Sequence, residues 1–162
     1  MNYQIRKWEK NDLQFLKEML FNAVYWNNEN PTKPIEKLFD EPEISKILYG
    51  FGNREGDYSL IAEKNKNSLG AVWYRYWTDK NHSYGYVDQN TPEIGISVKS
   101  EYRNNGIGQK LMNKIIKNAK LKGIKQISLS VDQKNFARHM YEKLKFIYVK
   151  TVGTSWTMVK TL

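Results

Sequence analysis

Hydrophobic and polar residues recur along this chain with periods that predict most of its elements. Residues 3–8 read as a strand. Leu13, Leu16, Leu20 and Val24 then fall on one helical face, with Asn11 as the expected N-cap and Gln14 at the capping-box position. A connection containing Asn and Pro covers 27–34, and a shorter helix is expected within 35–49. Residues 57–63 and 68–78 read as two strands joined through Lys64-Asn65-Lys66-Asn67, a hairpin pattern. A long polar loop, 79–91, follows, and loops of that length are commonly functional or mobile. Ile94, Ile96 and Val98 alternate with Glu93, Gly95 and Ser97, which predicts a strand over 93–99.

After Gly106-Ile107-Gly108, an apolar stripe of Ile107, Leu111, Ile115 and Ala119 predicts an amphipathic helix that ends at Gly123. Ile127, Leu129 and Val131 mark another strand, and Ala137, Met140, Tyr141 and Leu144 a last helix. Short strands near 146–151 and 155–160 close the chain. The order β-α-α-β-β-β-α-β-α-β-β implies an α/β fold, a mixed sheet with helices packed on it. No repeat or linker interrupts residues 1–162, so one domain is expected.

Composition narrows the chemistry. With no cysteine, a disulfide framework, a thiolate metal site and a cysteine nucleophile are excluded. His82 and His139 are far apart, so no metal site is expected. The first residues lack the apolar run of a signal peptide and no later stretch is long enough to span a bilayer. A cytoplasmic protein without a membrane partner is therefore expected. The net charge of +9 draws anions without saying which.

The junction at 98–110 is the most informative segment. Glycines at 106 and 108 allow a tight turn and close ligand approach, and the next helix opens with unpaired N–H groups at its positive end. That combination suits phosphate, and Arg103 adds charged donors. A Rossmann fingerprint needs a third glycine where Leu111 stands, and a Walker A loop needs Gly-Lys-Ser/Thr where Gly108-Gln109-Lys110 stands. Both nucleotide patterns fail. Spacing alone leaves open that the glycines only shape a turn before a core helix.

Two blocks carry a family resemblance. Arg103-Asn104-Asn105-Gly106-Ile107-Gly108 resembles the Arg/Gln-x-x-Gly-x-Gly/Ala motif of the GNAT superfamily of N-acetyltransferases. Asn135-Phe136-Ala137 through Tyr141-Glu142-Lys143-Leu144-Lys145-Phe146 is similar to that family's second block, with Ala137 two residues after Asn135 and Lys145 in place of the usual glycine. The lysine is expected to change the exit from the last helix. The resemblance is strong over residues 90–150 and rests on element order upstream.

It implies a mostly antiparallel sheet of about seven strands flanked by about four helices, and acetyl-coenzyme A as co-substrate. Backbone N–H groups from Asn104 to Gln109 would hold the pyrophosphate. The strand through Ile96, Ser97 and Val98 would splay from its neighbour and pair with the pantetheine arm, the Val98 N–H facing the thioester carbonyl. Asn135 would bind the pantetheine region, and Tyr141 would protonate the departing thiolate. A phenol is protonated at neutral pH and suits that task, although Tyr141 by spacing alone reads as a core aromatic. Glu93 is the candidate base, equally readable as a solvated strand-end carboxylate, with Asp88 and His82 behind it.

For the acceptor, the resemblance points to Tyr25, Trp26, Asn28 and Glu29 and to Trp77, Tyr84, Tyr86 and Asp88. Aromatics with a few carboxylates suit an amine with an apolar body, in a small molecule or a peptide. Trp73 reads as packing for the sheet. A homodimer fits the family. Two other functions compete: a non-catalytic acyl-coenzyme A sensor, and a nucleic-acid module built on the lysines at 110, 114, 117, 120, 122 and 125. No nucleic-acid motif accompanies those lysines, so no nucleic-acid partner is expected.

Overall fold

A computed structural model of the protein describes residues 2–27 and 34–162. Seven strands form one sheet: β1 (Gln4–Lys7), β2 (Tyr58–Lys64), β3 (Asn67–Arg75), β4 (Glu93–Val98), β5 (Gln126–Asp132), β6 (Ile147–Val152) and β7 (Ser155–Thr161). Their spatial order is β1-β2-β3-β4-β5-β7-β6. Every neighbouring pair is antiparallel except β4 and β5. The mixed, mostly antiparallel sheet expected of the family is the one found.

Side-chain alternation sorts the core into two layers. Leu60, Ala62, Val72, Tyr74 and Ile94 join Ile127, Leu129, Val131 and Met158 beneath α4 (Ile107–Leu121) and α5 (Ala137–Lys143). Ile61, Ala71 and Trp73 turn to the other face and pack against α1 (Leu13–Val24), α2 (Ile35–Leu38) and α3 (Pro42–Leu48). Trp73 packs in the core, as expected.

Local chemistry explains most boundaries. Asn65 and Lys66 both have positive φ, 50° and 66°, so β2 and β3 are joined by a type I′ turn whose twist suits a hairpin. Gly123 (φ 77°) ends α4 in a Schellman motif, the amides of Gly123 and Ile124 donating to Lys120 and Ala119. Lys145 ends α5 in the same way. Its φ is 67°, and the amides of Lys145 and Phe146 donate to Glu142 and Tyr141. The helix exit expected to change is retained, with a lysine held in a glycine conformation.

Five helices occur among the described residues, in keeping with the about four expected. Pro42 starts α3 and holds Glu41 extended, so 35–49 carries two short helices where one was expected. Asn11 does not cap α1. A 3-10 turn covers Lys10–Asp12, and the capping box is Glu9 with Asp12, whose carboxylate accepts the Glu9 amide and a fork from Arg6 at 2.7 and 2.8 Å. Arg75, which drew no notice in sequence, is buried in a pair with Asp57 and also donates to the carbonyls of Lys46 and Tyr49. That pair ties the end of α3 to the sheet.

Candidate active site

The parallel pair β4 and β5 is in register only at Glu93 with Ser128 and Ile94 with Leu129. Beyond Ile94 the two strands part, and β4 stays paired with β3 as far as Val98 opposite Gly70. Lys99 donates its amide to Leu69 at 2.9 Å. By antiparallel alternation Ser97 and Gly95 also face β3, so the amides of Ile96 and Val98 face the gap. The gap is therefore edged by a strand whose Ile96 and Val98 amides have no strand partner among the described residues, with the apolar side chains of Ile96 and Val98 beside them.

The open end of β4 leads into the glycine turn. Asn104 (φ 61°) and Gly106 (φ 74°) are both left-handed, and Asn105 donates its side-chain amide to the carbonyls of Tyr102 and Arg103. Helix α4 has no side-chain N-cap, and the first of its amides to meet a backbone acceptor is that of Lys110, on Gly106. The amides of Ile107, Gly108 and Gln109 thus open on the turn. A Cβ on Gly108 would meet nothing closer than 3.8 Å, from Met140 Sδ, with Ile96 and Val98 at 3.9 Å. Packing does not require glycine there, and the space beside it is open. Arg103 is folded inward, Nε donating to Val98 O at 3.1 Å and Nη1 to Trp26 O at 3.5 Å. It braces the turn against the end of α1 as well as carrying positive charge.

Asn135 accepts the Ala137 amide at 2.9 Å, so its carboxamide oxygen caps α5 while its N–H groups remain for a ligand. Tyr141 is buried and stacks edge-on with Phe146. Burial pushes its phenol above the ordinary value, and no described residue is hydrogen-bonded to its hydroxyl. It is a core aromatic whose hydroxyl is not committed to any described residue.

On the opposite face, Glu93 stands at the first of the two paired steps, one residue before the strands part. Its Oε1 accepts the Gly85 amide at 2.9 Å, while Oε2 is out of solvent and meets no donor among the described residues in full hydrogen-bond geometry, although Ser83 and Trp77 lie close to the carboxylate. Burial raises its pKa from 4.5 to about 7, against the opposing pull of the Gly85 amide, Ser83 and Trp77. The alternative of a solvated carboxylate is set aside by that burial. Gly85 fits tightly: a Cβ would lie 2.8 Å from Glu93 Oε1 and 2.8 Å from the Leu129 carbonyl carbon. Sequence reasoning missed Ser83 and the role of Gly85. The only signal was a glycine between two tyrosines in a long loop.

That loop is held closely to the sheet. Tyr84 O accepts from Thr157 at 3.2 Å, and Tyr86 donates to Asp79, which raises the phenol to about 12. Of the acceptor candidates, Trp77 and Tyr86 are buried, Tyr84 is exposed and Trp26 is half-buried. Asp88 is an exposed turn residue whose carboxylate accepts the Asn90 amide. His82 stacks on Tyr86 with ring centroids 4.4 Å apart and its Nδ1 at Ser83 O. Neither turns toward Glu93 in its hydrogen bonds. Tyr25 lies near Phe21 at the end of α1, and Asn28 and Glu29 lie outside the described residues.

The model of the acetyltransferase (GNAT) family matches residues 15–146. The chain belongs to the GNAT acetyltransferase family. Solved GNAT structures share its fold across its length. The PaiA N-acetyltransferase of Thermoplasma acidophilum, in complex with coenzyme A, is 20% identical with both chains fully covered and a TM-score of 0.74. The ribosomal-protein-alanine N-acetyltransferase of Brucella melitensis is 21% identical over 98% of this chain and 99% of its own, at 0.72. Mutant forms of the spermidine/spermine N-acetyltransferase SpeG of Vibrio cholerae are 19% identical over 99% and 95%, at 0.62. No curated protein matches the chain.

Family membership makes this GNAT protein an acyltransferase that binds coenzyme A. Its residues fit that ligand on their own terms. The turn offers amides and positive charge to a pyrophosphate, Gly108 leaves room beside them, and the gap past Ile94 offers a strand edge to an extended amide-bearing arm.

Proposed function

We propose that this chain is an N-acetyltransferase that moves an acetyl group from acetyl-coenzyme A to a primary amine of a small molecule or peptide, by direct attack in a ternary complex. One observation carries the reading: a buried carboxylate with a pKa near neutrality sits where β4 and β5 part, and an amide-lined glycine turn follows the open end of β4.

The acetyl thioester supplies an electrophilic carbonyl carbon and a thiol leaving group. Glu93 accepts the proton that an ammonium acceptor must lose before its nitrogen can bond to that carbon, and a carboxylate poised near pH 7 suits the task. The Val98 amide donates to the carbonyl oxygen as charge grows there. As the carbon–sulfur bond breaks, the Tyr141 hydroxyl gives its proton to sulfur. Asn135 and the amides from Asn104 to Gln109 hold the donor, while Arg103 braces their turn. Trp26, Trp77, Tyr84 and Tyr86 border the acceptor side, and Asp88, exposed with one carboxylate oxygen on the Asn90 amide, adds negative charge there.

Against a nucleic-acid reading, several lysines of the basic stretch are bound to the protein itself. Lys114 donates to Ile5 O at 2.6 Å, and Lys110 and Lys122 lie over the rings of Tyr3 and Tyr58. The direct test is thiol release from acetyl-coenzyme A across polyamines, aminoglycosides, amino acids and peptide amino termini, with Tyr141→Phe as control. Coenzyme A binding without any acetylated product, the protein itself included, would favour the sensor reading instead.

A further inference from the structure

Phe136 is 83% exposed, more than any other large apolar side chain among the described residues. Its place is specific. It has helical dihedrals at the start of α5, directly after Asn135, and so shares a face with Met140 one turn on. Met140 is the residue whose sulfur lies 3.8 Å from a Cβ position on Gly108. Phe136 therefore extends, one turn outward, the side of α5 that borders the glycine turn. The Asn135 cap fixes the backbone there, and the ring of His139 lies 6.5 Å from that of Phe136.

The donor reading, on which this inference rests, sets the direction of the ligand. With the pantetheine arm running into the gap between β4 and β5 and the pyrophosphate on the α4 amides, the nucleoside end must leave on the outer side of the turn. A planar base leaving past the α5 face meets an exposed aromatic ring. We propose that Phe136 is the platform on which the adenine of coenzyme A stacks, so that this chain distinguishes the full nucleotide-bearing donor from shorter pantetheine thioesters. Aromatic side chains hold bases in this way without needing hydrogen bonds to their edges. Lys134, exposed just before Asn135, adds positive charge beside the same end.

The test is calorimetric titration of coenzyme A and of 4′-phosphopantetheine into the wild type, Phe136→Ala and Phe136→Tyr. Phe136→Ala should raise the Kd of coenzyme A by about 10-fold, the scale of one lost base–aromatic stack, and change that of 4′-phosphopantetheine by less than about 2-fold. Phe136→Tyr should retain the wild-type preference. An unchanged coenzyme A Kd in Phe136→Ala overturns the platform while leaving the donor site standing. Equal weakening of both ligands also overturns it, because that pattern marks a general distortion of α5. A wild type that binds neither ligand overturns the donor reading and this inference together.

Discussion

The amide of Gly85 donates to Glu93 Oε1 at 2.9 Å, and a Cβ on Gly85 would stand only 2.8 Å from that oxygen. Loop 79–91 and strand β4 are thus joined through a glycine that has no room for a side chain. In Gly85→Ala the obstacle on the far side is the backbone of Leu129, also at 2.8 Å, so the loop has to lift and take its amide with it. We expect kcat/KM to fall by about 100-fold, as for a misplaced catalytic group, with about 1–3 kcal/mol of stability lost to overpacking. Steady-state kinetics beside thermal melts test this, and an alanine variant with wild-type kinetics would sink the proposed positioning role.

The raised pKa of Glu93 has two consequences with opposite signs. As a base it works only when ionised, so kcat/KM should rise through about pH 7 and level off above it. For stability, the folded protein binds this proton more tightly than the unfolded chain, whose carboxyl keeps the ordinary 4.5. Stability should therefore fall as pH rises between those values, by on the order of 3 kcal/mol in full. Glu93→Gln should remove the activity limb near pH 7 and flatten the decline in Tm. A wild-type pH limb that survives in Glu93→Gln assigns the base elsewhere.

Tyr141 separates chemistry from packing. Removing its hydroxyl leaves the ring on Phe146 and takes away no hydrogen bond to a described residue. Tyr141→Phe should therefore melt within about 1 kcal/mol of wild type and bind coenzyme A equally well, while kcat drops by about 100-fold or more. Because burial holds the phenol protonated above its ordinary range, its ionisation should not limit the wild-type rate below about pH 10. A variant that loses cofactor affinity in proportion to rate would mark Tyr141 as structural.

Much of the architecture was legible because each strand and long helix carries its own period. The alternation of Ile94, Ile96 and Val98 and the stripe of α4 are written locally, and so are the glycine turn and the hairpin at Asn65 and Lys66. Features that depend on partners distant in sequence were not legible. Asp12 displaced Asn11 as the capping residue because Arg6 reaches it from β1. Arg75 shows its importance only when Asp57 and two carbonyls close around it. Likewise, nothing local to Glu93 announces burial; it is buried because the polar loop before it folds across the sheet. The proposed donor half of the site was readable as motif, and the proposed acceptor half depends on tertiary contacts.

Lys145 offers a prediction in which the chain's departure from its family is itself the variable. At φ 67° it pays the left-handed penalty of an L-residue, about 1–2 kcal/mol, to keep the Schellman bonds from Phe146 to Tyr141 and from Lys145 to Glu142. Glycine removes that penalty but has more unfolded freedom to lose, about 0.5–1 kcal/mol relative to alanine. Lys145→Gly should therefore gain on the order of 0.5–1 kcal/mol, which for a chain of this size raises Tm by about 1–4 °C. Lys145→Ala, equally stripped of charge but still strained, should gain nothing. Equal melting points for the two variants would show that the lysine charge, and not its backbone, sets the difference.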